Sequence, residues 1–110
     1  MKRRILLVGA TGAFGARLAR MLACWDIDLV LAARREGPLK ALAAQLRGPA
    51  RVEVAVLNRD DPRLADLNPW AVVDAAGPFQ ASDLNLAQAA IAAGAHYVDI
   101  ADGRTRRSTP

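Results

Sequence analysis

Residues 5–15 have the sequence Ile5-Leu-Leu-Val8-Gly9-Ala-Thr-Gly12-Ala-Phe-Gly15, an apolar run followed by a glycine at every third position. A helical pattern follows and ends near Cys24, and its predicted apolar face consists of Phe14, Leu18, Met21 and Leu22. This succession of strand, glycine turn and helix is typical of sites where backbone N–H groups and a helix N-terminus hold a dinucleotide pyrophosphate. The spacing is GxxGxxG rather than the common GxGxxG, and a plain structural turn is the alternative interpretation.

Each glycine of this turn has its own expected role. Gly9 ends the strand in a tight turn, and Gly12 leaves no Cβ between the backbone and a phosphate. Gly15 lets the helix pack closely against the strand. We therefore predict that the cofactor-binding residues of this segment are Gly9, Thr11, Gly12, Ala13, Phe14 and Gly15.

The composition favours one α/β domain. The chain has 110 residues, of which 53% are hydrophobic and only 5% aromatic, so Ala, Leu, Val and Ile must form its core. No apolar run approaches the roughly 20 residues that cross a bilayer. The basic residues 1–4 and the apolar stretch behind them resemble a signal peptide, but glycines interrupt that stretch. We predict a cytoplasmic protein that does not bind membranes.

Cysteine and charge exclude several classes of site. Cys24 is the single cysteine, which excludes an internal disulfide and a cysteine-cluster metal site. At the end of the first predicted helix we expect it to be a buried or half-buried, inert thiol. The net charge of +4 arises at the chain ends, where six of the fifteen basic residues lie, while residues 5–103 carry a net charge of −2. No basic face or known module indicates nucleic-acid binding.

Five predicted strands alternate with predicted helices. Because the crossovers contain helices, the strands should be parallel, with a ligand at the carboxyl ends of the first and fourth. We predict a Rossmann-type doubly wound parallel sheet with strand order 3-2-1-4-5 and helices on both faces. The predicted strands are Arg4–Gly9, Asp28–Ala33, Val52–Leu57, Trp70–Ala76 and His96–Ile100. The predicted helices are Gly12–Ala23, Gly37 to about Leu46, a short Asp60–Leu67, and Ser82 or Asp83 to Ala93.

The residues after the second predicted strand, Ala33-Arg-Arg-Glu36, indicate which dinucleotide binds. An NAD site has an Asp or Glu here that accepts hydrogen bonds from the adenosine ribose, and Ala33 has no such group. Arg34 and Arg35 carry guanidinium groups suited to a 2′-phosphate, so we predict NADP rather than NAD. The alternative is that both arginines are solvated and that Glu36 pairs with one of them.

Two further loops complete the predicted site. Asn58 follows the third strand and is positioned to contact the adenine edge. Small residues follow the fourth strand and allow close approach to the ribose and nicotinamide, where Phe79 is either a wall of the site or an ordinary loop anchor. The residues predicted to bind in this second loop are Ala76, Gly77, Pro78 and Phe79.

At these residues the sequence resembles the NAD(P)-binding domain of the saccharopine dehydrogenase-like oxidoreductases. The resemblance covers Arg4 to about Gly103, and it rests on four segments in the right order. They are Gly9-Ala-Thr-Gly-Ala-Phe-Gly15, Leu31-Ala-Ala-Arg34, Val72-Val-Asp-Ala-Ala-Gly-Pro-Phe79 and Ala93-Gly-Ala-His-Tyr-Val-Asp-Ile100.

The resemblance implies a Rossmann domain that binds NADP or NAD and that is followed, in family members, by a second, substrate-binding domain. Two positions depart from the family pattern. Asn58 stands where relatives often carry aspartate, and Ala33 stands where glycine often precedes the arginine.

The sequence identifies no catalytic residue. Tyr97 has no lysine four positions later, which excludes a tyrosine–lysine pair of the short-chain dehydrogenase type. His96 begins the fifth strand on the side away from the site, where we expect a packed or capping residue. Asp99 and Asp102 are the remaining polar candidates, although Asp102-Gly103 is also an ordinary turn. No group of histidine, cysteine and carboxylate residues indicates a metal.

We predict a dinucleotide-binding domain over residues 1–103, a disordered tail over residues 104–110 and no substrate domain. The leading hypothesis is the NADP(H)-binding domain of a saccharopine dehydrogenase-like oxidoreductase, truncated and not catalytically competent alone. The alternatives are a non-catalytic dinucleotide-binding or sensing module that acts through a partner protein, and an interaction domain with a vestigial site. The apolar edge of the fifth strand also predicts homo-oligomers, formed through that edge or through the helix at residues 82–94.

Overall fold

The apolar run before the glycine turn is the central strand of the sheet. β1 (Arg4–Val8) is hydrogen-bonded to β2 (Asp28–Ala33) on one side and to β4 (Ala71–Asp74) on the other. β3 (Arg51–Val56) and β5 (His96–Asp99) complete a parallel sheet in the order β3-β2-β1-β4-β5. The last four residues of β1 are buried because helices cover both faces of the sheet. The predicted Rossmann-type fold and strand order are confirmed.

The computed structural model describes residues 2–58, 64, 67–75 and 81–99, with the backbone alone for residues 81–84. Three helices lie within these ranges: α1 (Ala13–Leu22), α2 (Glu36–Gln45) and α3 (Ala81–Ala92). None of the helices in these ranges has both the length and the apolar character needed to span a bilayer.

Alternate residues of the strands supply two hydrophobic cores, one on each face of the sheet. Leu7 of β1 packs in the first core with Ala19 of α1 and Leu39 of α2. Leu6, which points to the other face, packs in the second core with Leu86 of α3. Helices therefore cover both faces, as predicted, with α1 and α2 on one side and α3 on the other.

α1 lies close against β1 because a glycine occupies the contact. A Cβ built on Gly15 would overlap the carbonyl oxygen of Gly9 and press on the Cα atom of Ala10. Gly15, Ala19 and Leu22 follow the spacing of one helical face, and they are the buried residues of α1. The predicted role of Gly15 in close packing of the helix is thus supported by the geometry of the chain itself.

Two predictions about the first helix are wrong. Phe14 and Met21 were expected on its apolar face, but 48% and 60% of their surfaces are exposed. Successive residues of an α-helix are about 100° apart around its axis. Phe14 and Met21 therefore point to the side of α1, while its buried residues point to the sheet. Cys24, expected to be buried or half-buried, is an exposed free thiol, because α1 ends at Leu22 and the turn behind it faces solvent.

Most element boundaries differ from the predictions by one or two residues. β1 ends at Val8 because Gly9, with a φ of 79°, turns the chain. α1 begins after Gly12, whose extended backbone caps the helix. The predicted helix Asp60–Leu67, apart from Leu64 and Leu67, lies outside the described residues, as do Ile100 and the predicted tail at residues 104–110.

A buried polar contact links the last two strands. The hydroxyl group of Tyr97 on β5 donates a hydrogen bond of 2.9 Å to Oδ2 of Asp74 on β4. Both residues are almost fully buried, with 4% and 1% of their surfaces exposed. Buried carboxylates need hydrogen-bond donors, so this contact should contribute to the stability of the β4–β5 pair.

We expect Gly15→Ala to lower the free energy of unfolding by about 1–3 kcal/mol, because the methyl group cannot be placed without moving α1 from β1. Gly37→Ala is the matched control. A Cβ there meets nothing within 4 Å, and alanine is the better helix former by up to about 1 kcal/mol. Urea unfolding followed by circular dichroism would measure both, and equal stabilities of the two variants would contradict the packing argument.

We expect Tyr97→Phe to cost about 1–3 kcal/mol of unfolding free energy, because it removes a donor from a buried carboxylate. Trp70→Phe, at a residue that is 41% exposed, is the control for an aromatic replacement and should change stability by less, roughly 0.5 kcal/mol. Chemical denaturation measures both variants. A Tyr97→Phe protein as stable as the parent would show that the hydrogen bond contributes nothing.

Candidate dinucleotide-binding site

A cavity of about 710 Å³ opens at the carboxyl ends of β1, β2 and β4. In a doubly wound sheet, this is the edge where ligands bind, at the point where the strand order reverses. The cavity receives residues from the glycine turn, from the loop after β2 and from the end of β4. Its lining residues are Gly9, Thr11, Gly12, Ala13, Phe14, Ala33, Arg34, Arg35, Pro38 and Ala75.

The first turn of α1, which borders this cavity, has backbone N–H groups without a backbone acceptor in the described residues. The N–H of Gly9 is bonded to the Ala32 carbonyl group, and the N–H of Gly12 to that of Gly9. In the described part of the chain, the N–H groups of Ala13, Phe14 and Gly15 have no backbone acceptor, as expected for the first turn of a helix. Since that turn also has no acidic side chain, it can accept an anion.

Neither the backbone conformation nor the packing around position 12 requires a glycine there. Its φ is −70°, an ordinary value, and a Cβ there would make a normal contact of 3.5 Å with the Gly9 carbonyl oxygen. What glycine provides at this position is open space above the backbone, on the wall of the cavity. The predicted contact of Gly12 with a phosphate would occupy this space, and it stays a prediction.

Arg34 and Arg35 line the cavity at the end of β2, and both are exposed. Glu36 forms its ion pair with Lys40, at 3.1 Å, on the next turn of α2. Glu36 therefore does not pair with either arginine, and that alternative is wrong. Within the described ranges neither arginine forms an ion pair, so both guanidinium groups can reach an anionic ligand.

Asn58 lies beside this cavity and not in it. It lines a smaller cavity of about 300 Å³ together with Val56, Leu57 and Arg34. Because Arg34 lines both cavities, the two form a continuous surface over the carboxyl ends of β1, β2 and β3. Asn58 is thus on the side where the adenine of a dinucleotide would lie if its pyrophosphate contacted the glycine turn.

The other predicted residues are distributed as follows. Gly15 does not line the cavity and acts through helix packing. Ala76, Gly77, Pro78 and Phe79, predicted to contact the nicotinamide half, lie outside the described residues, and Ala75 is the last described residue of that strand end. Sequence analysis missed two lining residues, Ala75 and Pro38, and Pro38 lies in the first turn of α2, close in sequence to the arginines.

The polar residues considered as catalytic candidates lie at two ends of the sheet. Asp99 is buried at the carboxyl end of β5, in register with Asp74 of β4, and Asp102 lies outside the described residues. His96 is at the opposite end, away from the cavity as predicted, where it is exposed and its ring lies 4.9 Å from that of Trp70. No group of three potential metal ligands occurs among the residues that the structure describes.

Solved structures of several enzymes, oxidoreductases among them, share this fold. The oxidoreductase ylbE from Lactococcus lactis superposes with a TM-score of 0.66 at 20% identity, over 87% of this chain and 47% of that chain. A short-chain dehydrogenase/reductase (glucose/ribitol dehydrogenase) from Brucella melitensis superposes with a TM-score of 0.67 at 21% identity, over 90% of this chain and 58% of that chain. The Bordetella bronchiseptica enzyme WbmG, in complex with NAD and UDP, superposes with a TM-score of 0.65 at 18% identity, over 90% of this chain and 37% of that chain.

The chain spans about half the length of these structures, and at such identities the likeness shows the fold. A comparison with curated proteins gives no match. The comparison with protein families is more specific than the likeness in fold: residues 5–109 match the family model of the saccharopine dehydrogenase NADP-binding domain. The chain therefore belongs to the saccharopine dehydrogenase NADP-binding domain family, with NADP as its dinucleotide, as predicted from the sequence.

Proposed function

We propose that the cavity at the carboxyl ends of β1, β2 and β4 binds NADP(H). The pyrophosphate contacts the N–H groups at the start of α1, and the 2′-phosphate contacts Arg34 and Arg35. The observation that carries this proposal is that one cavity combines the first turn of a helix with two arginines that have no ion pair in the described residues. Anions are stabilised by both features.

The remaining contacts extend the same binding mode. Asn58 contacts the adenine edge, since it shares the adjoining cavity with Arg34. Ala76, Gly77, Pro78 and Phe79 contact the ribose and nicotinamide, on the basis of their place after β4. These contacts would orient the nicotinamide over the end of β4, where a substrate must approach it.

We further propose that residues 1–103 form the cofactor domain of an oxidoreductase and do not transfer hydride by themselves. Hydride transfer needs a substrate held against the nicotinamide and a positioned proton donor. The solved oxidoreductases with this fold are about twice as long as the chain, which leaves room in them for a substrate-binding part. A cytoplasmic location fits the exposed Cys24 thiol, which persists in a reducing compartment.

Titration with NADPH and NADH, by calorimetry or nicotinamide fluorescence, tests the binding mode. We expect Arg34→Ala and Arg35→Ala each to weaken NADPH binding by about tenfold or more, since each guanidinium makes charge-assisted hydrogen bonds to the 2′-phosphate. NADH binding should change little. The matched control is Arg47→Ala, because Arg47 lies just beyond the C-terminus of α2 and does not line the cavity. It should change neither affinity.

Gly12→Ala separates the pyrophosphate contact from the 2′-phosphate contact. We expect it to weaken NADPH and NADH binding by the same factor, since both have the pyrophosphate. Its melting temperature should stay close to that of the parent, because a Cβ finds only an ordinary contact. Failure of both nucleotides to bind the parent, or an equal loss of both with Arg34→Ala, would contradict the proposal.

We also propose that the chain self-associates through the edge of β5 or through α3. β5 pairs with β4 alone among the described strands, and Ile91 on α3 is 52% exposed. Unpaired strand edges and exposed apolar residues favour association. We expect sedimentation velocity to show concentration-dependent dimers that Ile91→Glu weakens if α3 is the interface. A monomer throughout the micromolar range would contradict this proposal.

A further inference from the structure

An acidic residue stands next to the two arginines of the cavity without pairing with them. Arg34 and Arg35 line the cavity, and within the described ranges neither forms an ion pair. Glu36 directly follows them and does not line the cavity. A carboxylate paired with either arginine would compete with a 2′-phosphate for the same N–H donors. The position of the Glu36 side chain therefore affects how well the arginines can bind a phosphate.

The start of α2 favours an acidic residue at this position. α2 begins at Glu36, the acidic residue of its first turn, and Arg35 before it makes no side-chain cap. A carboxylate stabilises the unpaired N–H groups and the positive end of the dipole at such a helix start. Consecutive Cα atoms are about 3.8 Å apart, so the same carboxylate is also within reach of the neighbouring guanidinium group. What suits the helix thus competes with what suits a phosphate.

Lys40 holds the Glu36 carboxylate on another side of the helix. Its Nζ atom lies 3.1 Å from Oε1 of Glu36. Residues four apart share one face of a helix, and a glutamate N-terminal to the lysine is the favourable order. Pro38, which lines the cavity, is two positions from each of them, or about 200° of rotation around the helix axis. The ion pair therefore lies on the face of α2 that points away from Pro38.

We propose that Lys40 is a positioning residue for dinucleotide specificity, because its ion pair with Glu36 keeps Arg34 and Arg35 available for the 2′-phosphate of NADP(H). The role rests on the proposed binding mode and extends it to a residue that does not line the cavity. Without Lys40, the carboxylate pairs with an arginine and a 2′-phosphate must displace it. NADH has no phosphate at this position, so the loss falls on NADP(H).

A double-mutant cycle of Glu36 and Lys40 tests the proposal. The four proteins are the parent, Lys40→Met, Glu36→Gln and Glu36→Gln/Lys40→Met, each titrated with NADPH and NADH at low ionic strength, where exposed charges act most strongly. We expect Lys40→Met to weaken NADPH binding about threefold, which is within the range of an exposed ion pair. NADH binding should not change. In the Glu36→Gln background, Lys40→Met should have almost no effect, because no carboxylate is left to release.

A conservative variant gives a further readout that a general loss of stability would not produce. Lys40→Arg retains the positive charge and the spacing of four residues, so it should retain the NADPH affinity of the parent. Both side chains of the ion pair are mostly exposed, so its removal should have little effect on stability. The expected change is therefore in the ratio of NADPH to NADH affinity, and not in folding.

Lys2→Met is the matched control. Lys2 forms an exposed ion pair of the same kind, with its Nζ atom 3.1 Å from Oδ1 of Asp26. This pair lies before the first residues of β1 and β2, at the end of the sheet opposite the cavity, and neither residue lines the cavity. The variant removes one lysine and one surface ion pair, as Lys40→Met does. It should change neither dinucleotide affinity.

Four results would overturn the proposal. They are an unchanged NADPH affinity in Lys40→Met, an equal loss of NADH affinity, an equal loss in Lys2→Met, and an equal loss in both Glu36 backgrounds. The last of these would assign the effect to the charge of the lysine itself. In each case, weaker NADPH binding by Arg34→Ala and Arg35→Ala would still support the binding mode. A parent chain that does not bind NADPH would overturn both proposals.

Discussion

The contact between Gly15 and the carbonyl oxygen of Gly9 is the constraint on which the rest of the structure depends. With no side chain between them, α1 lies directly on β1 and begins at the carboxyl end of that strand. This position brings the N–H groups of its first turn to the cavity. It also fixes the rotation of the helix about its axis, which turns Phe14 and Met21 to the side of the buried face. One close approach therefore determines both where the cavity lies and which large side chains of α1 are exposed.

The fold could be predicted from the sequence because its signals are local. Each strand is predicted from a short apolar run, each predicted crossover contains a predicted helix, and the order of such elements leaves few topologies. The rotation of α1 was not predictable in the same way, because a search for large apolar residues selects Phe14 and Met21. The small residues Gly15 and Ala19 decide which side faces the sheet, through their fit to a backbone that the sequence does not show.

The site was predicted where it depends on the backbone and missed where it depends on long-range packing. The glycine turn and Arg34 follow strands whose ends meet at the switch point, so topology alone places them together. Asp74 was not identified as a residue of interest, since it ends an apolar strand and its hydrogen-bond partner Tyr97 lies 23 positions later. No local pattern links two such residues. Pro38 lies in the first turn of α2, and its place in the sequence does not indicate the surface that it presents to the cavity.

The two halves of the cavity differ in how they are built into the fold. The glycine turn is continuous with β1, the central strand, and Gly15 of this turn cannot take a side chain without moving α1. Arg34 and Arg35 are exposed on a loop, and within the described residues no ion pair ties them to the rest of the chain. Substitutions at the arginines should therefore carry little penalty in stability. Under the proposed binding mode, the preference between the two nicotinamide dinucleotides would therefore change by substitutions at two surface positions, while the backbone that contacts the pyrophosphate remains the same.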